Sequence, residues 1–271
     1  MNLKDKNVVI TGGAGGIGAA MAKLFAQQGA ELVVSDLNLS AAEAIANEIN
    51  GIAIACDVSK EESVEKLIEQ AEAHFGDIDL FCSNAGLAIG EPSHAASANN
   101  DDWMLNWQVH VMSHVYASRT LLPKMIERGD GYLVNVASAA GLLCQIGDTA
   151  YSATKNAAVS LAQSLAITHA DDGIKVSVVC PQYVKTDLLG LTEEQSKAPL
   201  PGVISVEDCA RAILKGIENE DFLILPHPEI KKYMAYRSND TDLWIERMTQ
   251  MRRGLLDEEG KLDFVRTITG G

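Results

Sequence analysis

Residues 7–10, Asn-Val-Val-Ile, run directly into Thr11-Gly-Gly-Ala-Gly-Gly-Ile-Gly18, and this stretch decides the fold of the chain. The apolar residues at its start are typical of a buried strand, and apolar residues at helical spacing follow the last glycine. A glycine-rich turn between a strand and a helix lets the backbone approach a pyrophosphate, and the helix N-terminus offers it free N–H groups. The stretch therefore predicts the first strand–turn–helix unit of a dinucleotide-binding fold.

The spacing of the glycines leaves their individual roles open. A structural turn without a ligand is the alternative for the whole motif, although the strand–turn–helix context disfavours it. Three registers fit the same residues: G-x-G-x-x-G on Gly13, Gly15 and Gly18; T-G-x-x-x-G-x-G on Gly12, Gly16 and Gly18; and T-G-x-x-G-x-x-G on Thr11, Gly12, Gly15 and Gly18.

Short apolar runs alternate with helical patterns beyond this unit. Strands this apolar are typical of a parallel sheet covered on both faces. The sequence predicts an α/β protein with a doubly wound Rossmann fold, a seven-stranded parallel sheet with helices on both faces. The predicted strands are 7–10, 31–35, 51–55, 79–82, 131–137, 174–180 and 222–225. The predicted helices include 16–28, 41–50, 61–75, 101–127 and 150–170.

The pattern changes after residue 226. We assign residues 1–226 to the Rossmann-fold domain and residues 227–271 to a C-terminal helical extension of it. A helical stretch is predicted over 229–253, with Tyr233, Trp244, Met248 and Met251 as its apolar stripe. The stripe fits a cap over a substrate cleft or a clamp on a neighbouring subunit, and it fits equally well a terminal helix packed on its own sheet.

The composition excludes several classes of protein. Of the 271 residues, 47% are hydrophobic and 22% charged, which rules out a disordered or collagen-like chain. No apolar run approaches the length of a membrane helix. Only three apolar residues, Val8 to Ile10, follow the first charged residues, so a secretory signal is not expected and we predict a cytoplasmic protein.

Charge and cysteine content argue against three further kinds of partner. The net charge of −15 lies entirely in residues 1–226, with 14 basic and 29 acidic residues, so we expect neither nucleic acid nor a membrane surface as a partner. The five cysteines are odd in number and form no C-x-x-C motif, so we expect no disulfides and no metal. They are Cys56, Cys82, Cys144, Cys180 and Cys209.

Asp36 closes the second predicted strand. An acidic side chain at that point can bind the 2′-hydroxyl of an adenosine ribose, and it repels the 2′-phosphate of NADP. No Arg or Lys follows in Leu37-Asn38 or lies in the glycine-rich turn. The sequence therefore predicts NAD as the cofactor, the alternative being that Asp36 only caps the next helix.

Tyr151-Ser-Ala-Thr-Lys155 places a phenol and an ammonium group on one face of a helix. A nearby positive charge favours the phenolate and is expected to lower the pKa of Tyr151. Such a tyrosine can give a proton to a carbonyl oxygen or take one from an alcohol. Ser138, at the end of the fifth predicted strand, completes a candidate catalytic trio.

These motifs together resemble the short-chain dehydrogenase/reductase family. The resemblance covers about residues 5–225 in the right order, including the 12 residues between Ser138 and Tyr151. The chain length resembles the single-domain oxidoreductases of the family, which favours the T-G-x-x-x-G-x-G register. The matching segments are residues 11–18, Asp57-Val58, Asn84-Ala85-Gly86, Ser138, Tyr151-x-x-x-Lys155 and Pro181-x-x-Val184-x-Thr186.

The resemblance implies a role for each matching residue. Tyr151 is implied as the proton donor and acceptor, Lys155 as the residue that lowers its pKa and holds the nicotinamide ribose, and Ser138 as the partner of the substrate oxygen. It also implies tetramers or dimers formed through helices 101–127 and 150–170. The implied cofactor-binding residues are Gly12, Gly16, Ile17, Gly18, Asp36, Asp57, Val58, Asn84, Ala85, Gly86, Tyr151, Lys155, Val184 and Thr186.

His110 departs from the family pattern, which has Asn at this position, seven residues after a Trp. In the family that Asn helps to hold a water linking the catalytic Lys to solvent. An imidazole can also donate and accept a hydrogen bond, and it titrates near neutral pH. One hypothesis is that His110 substitutes in a proton relay; the other is that it packs as a neutral histidine. His114, one turn on, is expected to be a packing residue.

Gln182 is a second departure, since the family commonly has Gly after Pro181. A mostly apolar set without Arg or Lys predicts a hydrophobic secondary alcohol or ketone as substrate. The protein is predicted to be an NAD-dependent alcohol dehydrogenase or carbonyl reductase; the alternative is a catalytically impaired NAD-binding sensor or scaffold. The predicted substrate-pocket residues are Leu142, Gln145, Gln182, Tyr183 and Leu188, with Leu87, Ala88, Leu143, Cys144, Ile146 and Leu189 as further candidates.

Overall fold

The computed structural model describes residues 1–91, 93–192, 195, 200–262 and 268. Seven parallel strands form the central sheet in the order β3-β2-β1-β4-β5-β6-β9, which confirms the predicted Rossmann-type sheet. These strands are β1 (Asn7–Thr11), β2 (Glu31–Asp36), β3 (Ile52–Ala55), β4 (Leu80–Ser83), β5 (Gly131–Val136), β6 (Ile174–Val179) and β9 (Leu223–Ile224). A separate parallel pair, which was not predicted, joins β7 (Tyr183–Val184) to β8 (Val203–Ile204).

Ten α-helices connect and cover the strands in the part of the chain that the structure describes. They are α1 (Gly16–Gln27), α2 (Leu39–Ile49), α3 (Glu61–Phe75), α4 (Asn100–Trp107), α5 (Ser113–Arg128), α6 (Ala140–Leu143), α7 (Thr149–Thr168), α8 (Val206–Asn219), α9 (Ile230–Asn239) and α10 (Thr241–Gly254).

The core lies in two layers, one on each face of the sheet. On one face Phe25 of α1 and Ile213 of α8 pack with Ile10 and Val34. On the other face, helices α3, α5 and α7 supply Leu67, Leu121 and Ala158, which pack against the alternate residues of the strands. Because both faces are covered, the inner strands are apolar throughout; every residue of β5 is buried.

The order of the strands positions the site. β1 lies between β2 and β4, so the chain leaves β1 in one direction and returns to its other side after β3. The loops after β1 and β4 therefore diverge and leave a crevice at the carboxyl edge of the sheet. The polar and glycine-rich segments that the sequence analysis singled out follow β1, β4, β5 and β6 at this edge.

Two of the predicted helices differ from the structure. The helix predicted over 101–127 is interrupted by a π-helical turn, Gln108–Met112, which separates α4 from α5. The helix predicted over 229–253 is two helices, because the side chain of Asp240 accepts a hydrogen bond from the Leu243 N–H and starts α10. An N-cap of this kind begins a new helix instead of continuing the old one.

No helix within the described residues has the length and apolar character needed to span a bilayer. The five cysteines are free; four are buried and Cys144 is exposed. In the same described ranges no three His, Cys, Asp or Glu side chains come together as a metal site.

Candidate active site

A cavity of about 320 Å³ opens beside the crevice at the carboxyl edge of the sheet. Segments that follow four strands, the β7 region and α7 converge on it. Most of the residues predicted to bind the cofactor lie in this lining. The lining contains Gly12, Gly15, Gly16, Ile17, Asp36, Asn84, Ala85, Gly86, Val136, Ala137, Ser138, Tyr151, Lys155, Pro181, Gln182, Val184, Thr186, Asp187, Leu188 and Leu189.

The geometry of the glycine-rich turn resolves the ambiguity of its spacing. Gly12 and Gly16 have φ of +62° and +53°, a conformation that favours glycine. Gly18 has no room for a side chain, since a Cβ there would lie 2.1 Å from the Gly12 carbonyl oxygen. At Gly15 a Cβ would meet no atom within 4 Å. The structure therefore requires glycine at 12, 16 and 18, the T-G-x-x-x-G-x-G register.

Thr11 and Asn84 join the turn after β1 to the segment after β4. The Thr11 hydroxyl oxygen accepts hydrogen bonds from the Asn84 N–H at 3.0 Å and the Ala85 N–H at 3.2 Å. The Asn84 side-chain amide in turn donates to the carbonyl oxygens of Thr11 at 2.9 Å and Gly12 at 3.0 Å. These bonds hold the glycine-rich turn open across the crevice, so Asn84 shapes the cavity as well as lining it.

The start of α1 is suited to an anionic ligand. Its N-cap residue, Gly15, supplies no side-chain hydrogen bond, and no acidic residue lies in the first turn. The first N–H groups of a helix have no intrahelical acceptor, and the helix dipole favours negative charge there. The turn and the helix N-terminus thus fit the pyrophosphate of a dinucleotide.

Asp36 lies at the end of β2 with both carboxylate oxygens engaged. One oxygen accepts a hydrogen bond from the Ala14 N–H at 3.1 Å and the other from the Asn38 N–H at 3.0 Å. Asp36 does not cap α2; the Asn38 side chain does, by accepting from the Ala41 N–H. The carboxylate therefore stays at the cavity lining and adds negative charge beside the glycine-rich turn.

The three candidate catalytic residues meet at the other end of this cavity. Lys155 is buried in α7, and its Nζ donates a hydrogen bond to the Val136 carbonyl oxygen at 3.0 Å. The same Nζ lies 5.6 Å from the centroid of the Tyr151 ring. Ser138 follows β5, and its Oγ accepts a hydrogen bond from the Ala140 N–H at 3.1 Å.

Burial is the main cause of the pKa shifts of Lys155 and Tyr151. Burial lowers the pKa of Lys155 to about 8. It raises the pKa of Tyr151, and the neighbouring Ser138 hydroxyl only partly opposes that rise. The lowering of the Tyr151 pKa by Lys155 stays a prediction, since Lys155 is not among the groups that shift this pKa here. The ammonium group lies over the ring and donates to the Val136 carbonyl oxygen, and the loss of hydration around the phenol is the first cause of the raised pKa of Tyr151.

His110 forms a buried link between two segments that border the cavity. Its Nε2 accepts a hydrogen bond from the Leu87 N–H at 3.1 Å, and its Nδ1 lies 3.0 Å from Thr154 Oγ1. The Leu87 contact fixes the tautomer, since only a bare Nε2 can accept, so the proton is on Nδ1. The ring packs edge-on against Tyr151, with 5.3 Å between ring centroids.

The imidazole of His110 is neutral at working pH. Burial, followed by the charge of Lys155 and by His114, lowers its pKa to about 2. Both nitrogens are already engaged, and His110 is absent from the cavity lining. The geometry thus disfavours the hypothesis of a titrating relay and favours a neutral packing residue that ties the Leu87 segment to α7.

His110→Asn is expected to leave the pH–rate profile superimposable on that of the wild type between about pH 6 and pH 9, because the His110 imidazole is neutral throughout this range. The variant loses the hydrogen bond from the Leu87 N–H, so any fall in rate is expected to be the same at every pH and to reflect displacement of the Leu87 segment. Steady-state rates across this range check the expectation. A profile that shifts near neutral pH in the variant would restore the relay hypothesis.

The pH dependence of protein stability is a second measurement that tests the neutral state of His110 with the same substitution. Since the folded pKa of His110 is depressed, its contribution to stability is complete above the unfolded value near 6.5 and is lost as pH falls below it. The loss amounts to roughly 1.4 kcal/mol per pH unit below about 6.5. Urea unfolding of His110→Asn is expected to show a loss that is smaller by this amount, since burial also lowers the pKa values of His114 and His227, which remain. A variant of the exposed His74, His74→Asn, is expected to keep the full loss.

A second cavity of about 310 Å³ lies beside the first, under the C-terminal helices. Gln182 lines both cavities. The four residues predicted as the apolar stripe of the extension all line the second cavity, so the stripe covers a cleft and does not pack on the sheet. The lining contains Ala139, Ala140, Leu143, Cys144, Gln145, Ile146, Gln182, Tyr183, Tyr233, Trp244, Arg247, Met248, Met251 and Leu255.

The predicted substrate pocket matches this lining in part. Gln145 and Tyr183 line the second cavity and Leu188 lines the first, whereas Leu142, Leu87 and Ala88 line neither. Leu142 packs instead with Ile230 and Trp244, under the extension. The expectation of a pocket without Arg or Lys is wrong, because Arg247 of α10 lines the second cavity.

Three predicted cofactor residues are absent from the lining of the first cavity: Gly18, which packs against the Gly12 carbonyl oxygen, Asp57 and Val58. Asp57 and Val58 follow β3. The Asp57 carboxylate accepts hydrogen bonds from the backbone and hydroxyl of Ser59 and pairs with Lys60 at 2.9 Å. The Ser59 hydroxyl, first among these contacts, lowers the pKa of Asp57.

His227 is a structural residue that the sequence analysis did not single out. It is buried at the start of the extension, where its Nδ1 accepts a hydrogen bond from the Gln182 N–H at 3.1 Å. Its Nε2 lies 3.1 Å from the Tyr183 carbonyl oxygen and donates to it. His227 thereby fixes the segment that separates the two cavities. The only signal in the sequence is its place between Pro226 and Pro228.

The fold and the first cavity define a class of protein, the Rossmann-type dinucleotide-binding fold. The short chain dehydrogenase family model matches residues 6–197. The chain belongs to the short-chain dehydrogenase/reductase family, as its sequence motifs indicate.

Similar proteins cover most of the chain. It is 31% identical over 253 residues to 1-deoxy-11-beta-hydroxypentalenate dehydrogenase of Streptomyces exfoliatus, spanning 90% of either chain. It is 34% identical over 200 residues to the 3-oxoacyl-[acyl-carrier-protein] reductase of Mus musculus, spanning 73% of this chain and 84% of that protein.

Solved structures share the fold. A short-chain dehydrogenase/reductase of Burkholderia phymatum in complex with NAD superposes with a TM-score of 0.81 at 27% identity, covering 90% of this chain and 96% of that one. A short-chain dehydrogenase of Sphingobium yanoikuyae in complex with NADPH gives a TM-score of 0.75 at 22% identity, covering 88% and 94%.

Proposed function

We propose that the protein is an NAD-dependent oxidoreductase that interconverts a hydrophobic secondary alcohol and its ketone, with Tyr151 as general acid and base. One observation carries the proposal. Ser138, Tyr151 and Lys155 line the same cavity as the glycine-rich turn, and a mostly apolar cavity adjoins it through Gln182.

The residues of the first cavity fit a nicotinamide dinucleotide. The turn at Gly12 and Gly16 and the start of α1 would hold the pyrophosphate, with Gly18 packed behind the turn, and Asp36 would hold the ribose. By the family resemblance, Val184 and Thr186 would bind the carboxamide, and Asp57 and Val58 the adenine. Ile17 and the Asn84–Gly86 segment would also contact the dinucleotide. When bound, it supplies the acceptor or donor of hydride.

Tyr151 and Ser138 act on the substrate oxygen. In reduction, Tyr151 gives its proton to the carbonyl oxygen. In oxidation its phenolate, which the charge of Lys155 is proposed to favour, takes the proton of the alcohol. Ser138 holds the oxygen by a hydrogen bond, for which its hydroxyl lies at the cavity lining. Lys155 uses one donor on the Val136 carbonyl oxygen, and its other N–H groups are available to hold the ribose.

The observation on which the alternative function, an impaired sensor or scaffold, was based no longer supports it. That alternative depended on His110, which is a neutral link outside the cavity in this structure. The candidate catalytic trio is intact beside it.

We also propose a homotetramer or homodimer formed through the two long helical segments, α4 to α5 and α7. Ile126 of α5 and Ile167 of α7 are exposed large hydrophobic residues on these helices, Ile167 by 73%. By the family resemblance these helices form the subunit interface, in which the two exposed side chains would be buried.

The absorbance of the reduced nicotinamide tests the proposed reaction. The protein is mixed with NAD or NADP and a panel of hydrophobic secondary alcohols, and with the reduced cofactors and the matching ketones. Turnover with NAD is expected. Tight NAD binding without turnover in either direction would favour the sensor or scaffold instead.

Asp36→Ala tests the choice of cofactor. Removing the carboxylate abolishes its repulsion of a 2′-phosphate and its contact with the ribose, so the ratio of kcat/KM for NAD over NADP is expected to fall by about tenfold or more. Steady-state kinetics with both cofactors measure the ratio. Asp187→Ala removes another carboxylate at the same cavity and is the matched control. An unchanged ratio in Asp36→Ala would contradict NAD selection by this residue.

A further inference from the structure

The second cavity contains a charged side chain, Arg247, that has no role in the proposed reaction. Its wall is largely apolar and aromatic, from Leu143, Ile146, Trp244, Met248 and Met251. Its volume of about 310 Å³ is at the lower end of the range for small-molecule sites. A single fully charged side chain, Arg247, stands among the lining residues described.

Arg247 is held in place without the use of its N–H groups. Its guanidinium lies over the ring of Tyr236, with 5.0 Å between the guanidinium carbon and the ring centroid. Tyr236 is itself fixed by an edge-on contact with Trp244, at 6.0 Å between centroids. Stacking on an aromatic face orients a guanidinium and leaves its donors in plane for another partner.

No partner for these donors is found among the residues that the structure describes. The ion pairs and hydrogen bonds of the described residues include none to Arg247, although other arginines, such as Arg119 and Arg211, pair with carboxylates. Because Arg247 is exposed, it stands at the mouth of the cavity and keeps its hydration. A bound anionic group would therefore meet the guanidinium without full loss of water.

The charge around the cavity mouth favours an anion there. Residues 1–226 carry the whole net charge of −15, whereas residues 227–271 contain equal numbers of basic and acidic residues. The field that repels an anion from most of the surface is thus weakest along the extension that bears Arg247.

We propose that the substrate carries a carboxylate at the end of its apolar body remote from the reacting oxygen, and that Arg247 binds this carboxylate. The inference rests on the proposed function and names its substrate class as apolar hydroxy acids or keto acids. The apolar body fills the second cavity, the reacting oxygen extends past Gln182 toward Tyr151, and the carboxylate pairs with the planar fork of the guanidinium. Arg247 is a specificity-determining residue, since it takes no part in proton transfer.

Calorimetric titration of two inert probes tests the subsite apart from turnover. The probes are 1-naphthylacetate and its methyl ester, which share the apolar body and differ in charge. The wild type is expected to bind the acid about tenfold more tightly than the ester, and Arg247→Gln is expected to bind both alike. Arg252→Gln, on the same helix but outside the lining, is expected to keep the preference.

Arg247→Lys distinguishes the loss of carboxylate binding from a general structural effect of substitution at this position. Lysine keeps the positive charge but lacks the planar pair of N–H donors, so an intermediate preference for the acid is expected. Equal affinities for acid and ester in the wild type, or a preference that survives in Arg247→Gln, would overturn the proposal.

Turnover separates this inference from the proposed function. With a hydroxy acid and its methyl ester as substrates, Arg247→Gln is expected to raise KM for the acid about tenfold and leave kcat and the ester unchanged. An unchanged KM for the acid in an active enzyme overturns the carboxylate subsite alone. Failure of Tyr151→Phe to abolish turnover overturns the proposed function and leaves the calorimetric result standing.

Discussion

Tyr151→Phe is expected to lower kcat/KM by about a thousandfold while cofactor affinity stays within about twofold. In the proposed function the phenol passes the proton to and from the substrate oxygen, whereas Lys155 holds the ribose and His110 is neutral and outside the lining. Phe keeps the ring and its edge-on contact with His110. The loss is therefore chemical and leaves the packing intact.

Steady-state oxidation of the alcohol with saturating NAD measures the loss, and fluorescence titration measures NAD affinity. The matched control is Tyr116→Phe, which removes a hydroxyl from a ring that packs against the core away from the cavity. If Tyr151→Phe keeps more than about a tenth of the activity, another group transfers the proton. A parallel loss in Tyr116→Phe would show that the effect is structural.

Much of this fold follows from local patterns in the sequence. The seven parallel strands lie where the apolar runs predicted them, because strands covered on both faces need side chains that avoid water at every position. The family identification follows from motifs whose order is fixed by the fold. The glycine-rich turn, Asn84, Ser138, Tyr151 and Lys155 are far apart in the sequence, and parallel topology brings them to one edge of the sheet.

Features that depend on contacts between distant residues were not predictable. The π-helical turn at Gln108–Met112 spans only five residues, which is too short for the spacing of apolar residues to reveal a change in backbone hydrogen bonding. The pKa of Tyr151 depends on how completely it is buried, which the spacing to Lys155 cannot give. The neutral state of His110 depends on its burial, and its tautomer depends on an N–H group 23 residues away, at Leu87.

The C-terminal extension is a second case in which the sequence predicts an element but not what that element contacts. Its apolar stripe was visible in the sequence, but a stripe carries no information on what it covers. The structure places Tyr233, Trp244, Met248 and Met251 over a cavity, and it adds Arg247 to the same wall. Arg247 is separated by 65 residues from Gln182, and only the fold shows that both face one cleft.

Gly18→Ala is expected to destabilise the protein by about 3 kcal/mol and to weaken cofactor binding at the same time. An added Cβ would lie 2.1 Å from the Gly12 carbonyl oxygen and 2.7 Å from Asn84 Nδ2. The nearer atom belongs to the backbone, so the turn itself must move. That movement breaks the hydrogen bond from Asn84 Nδ2 to Gly12, which is 3.0 Å long, and with it the link between the two sides of the crevice.

Gly15→Ala is the matched control, and it distinguishes the registers that the spacing left open. Gly15 has an extended φ of −158°, and a Cβ there meets no atom within 4 Å, so its free energy of unfolding is expected to change by less than about 1 kcal/mol. Urea unfolding of the two variants makes the comparison. In the G-x-G-x-x-G register Gly15 is as constrained as Gly18, and equal losses in both variants would show that the register assigned here is wrong. A large loss at 18 with little at 15 supports the T-G-x-x-x-G-x-G register, in which the turn is held by packing against Asn84 and by the left-handed backbone at Gly12 and Gly16.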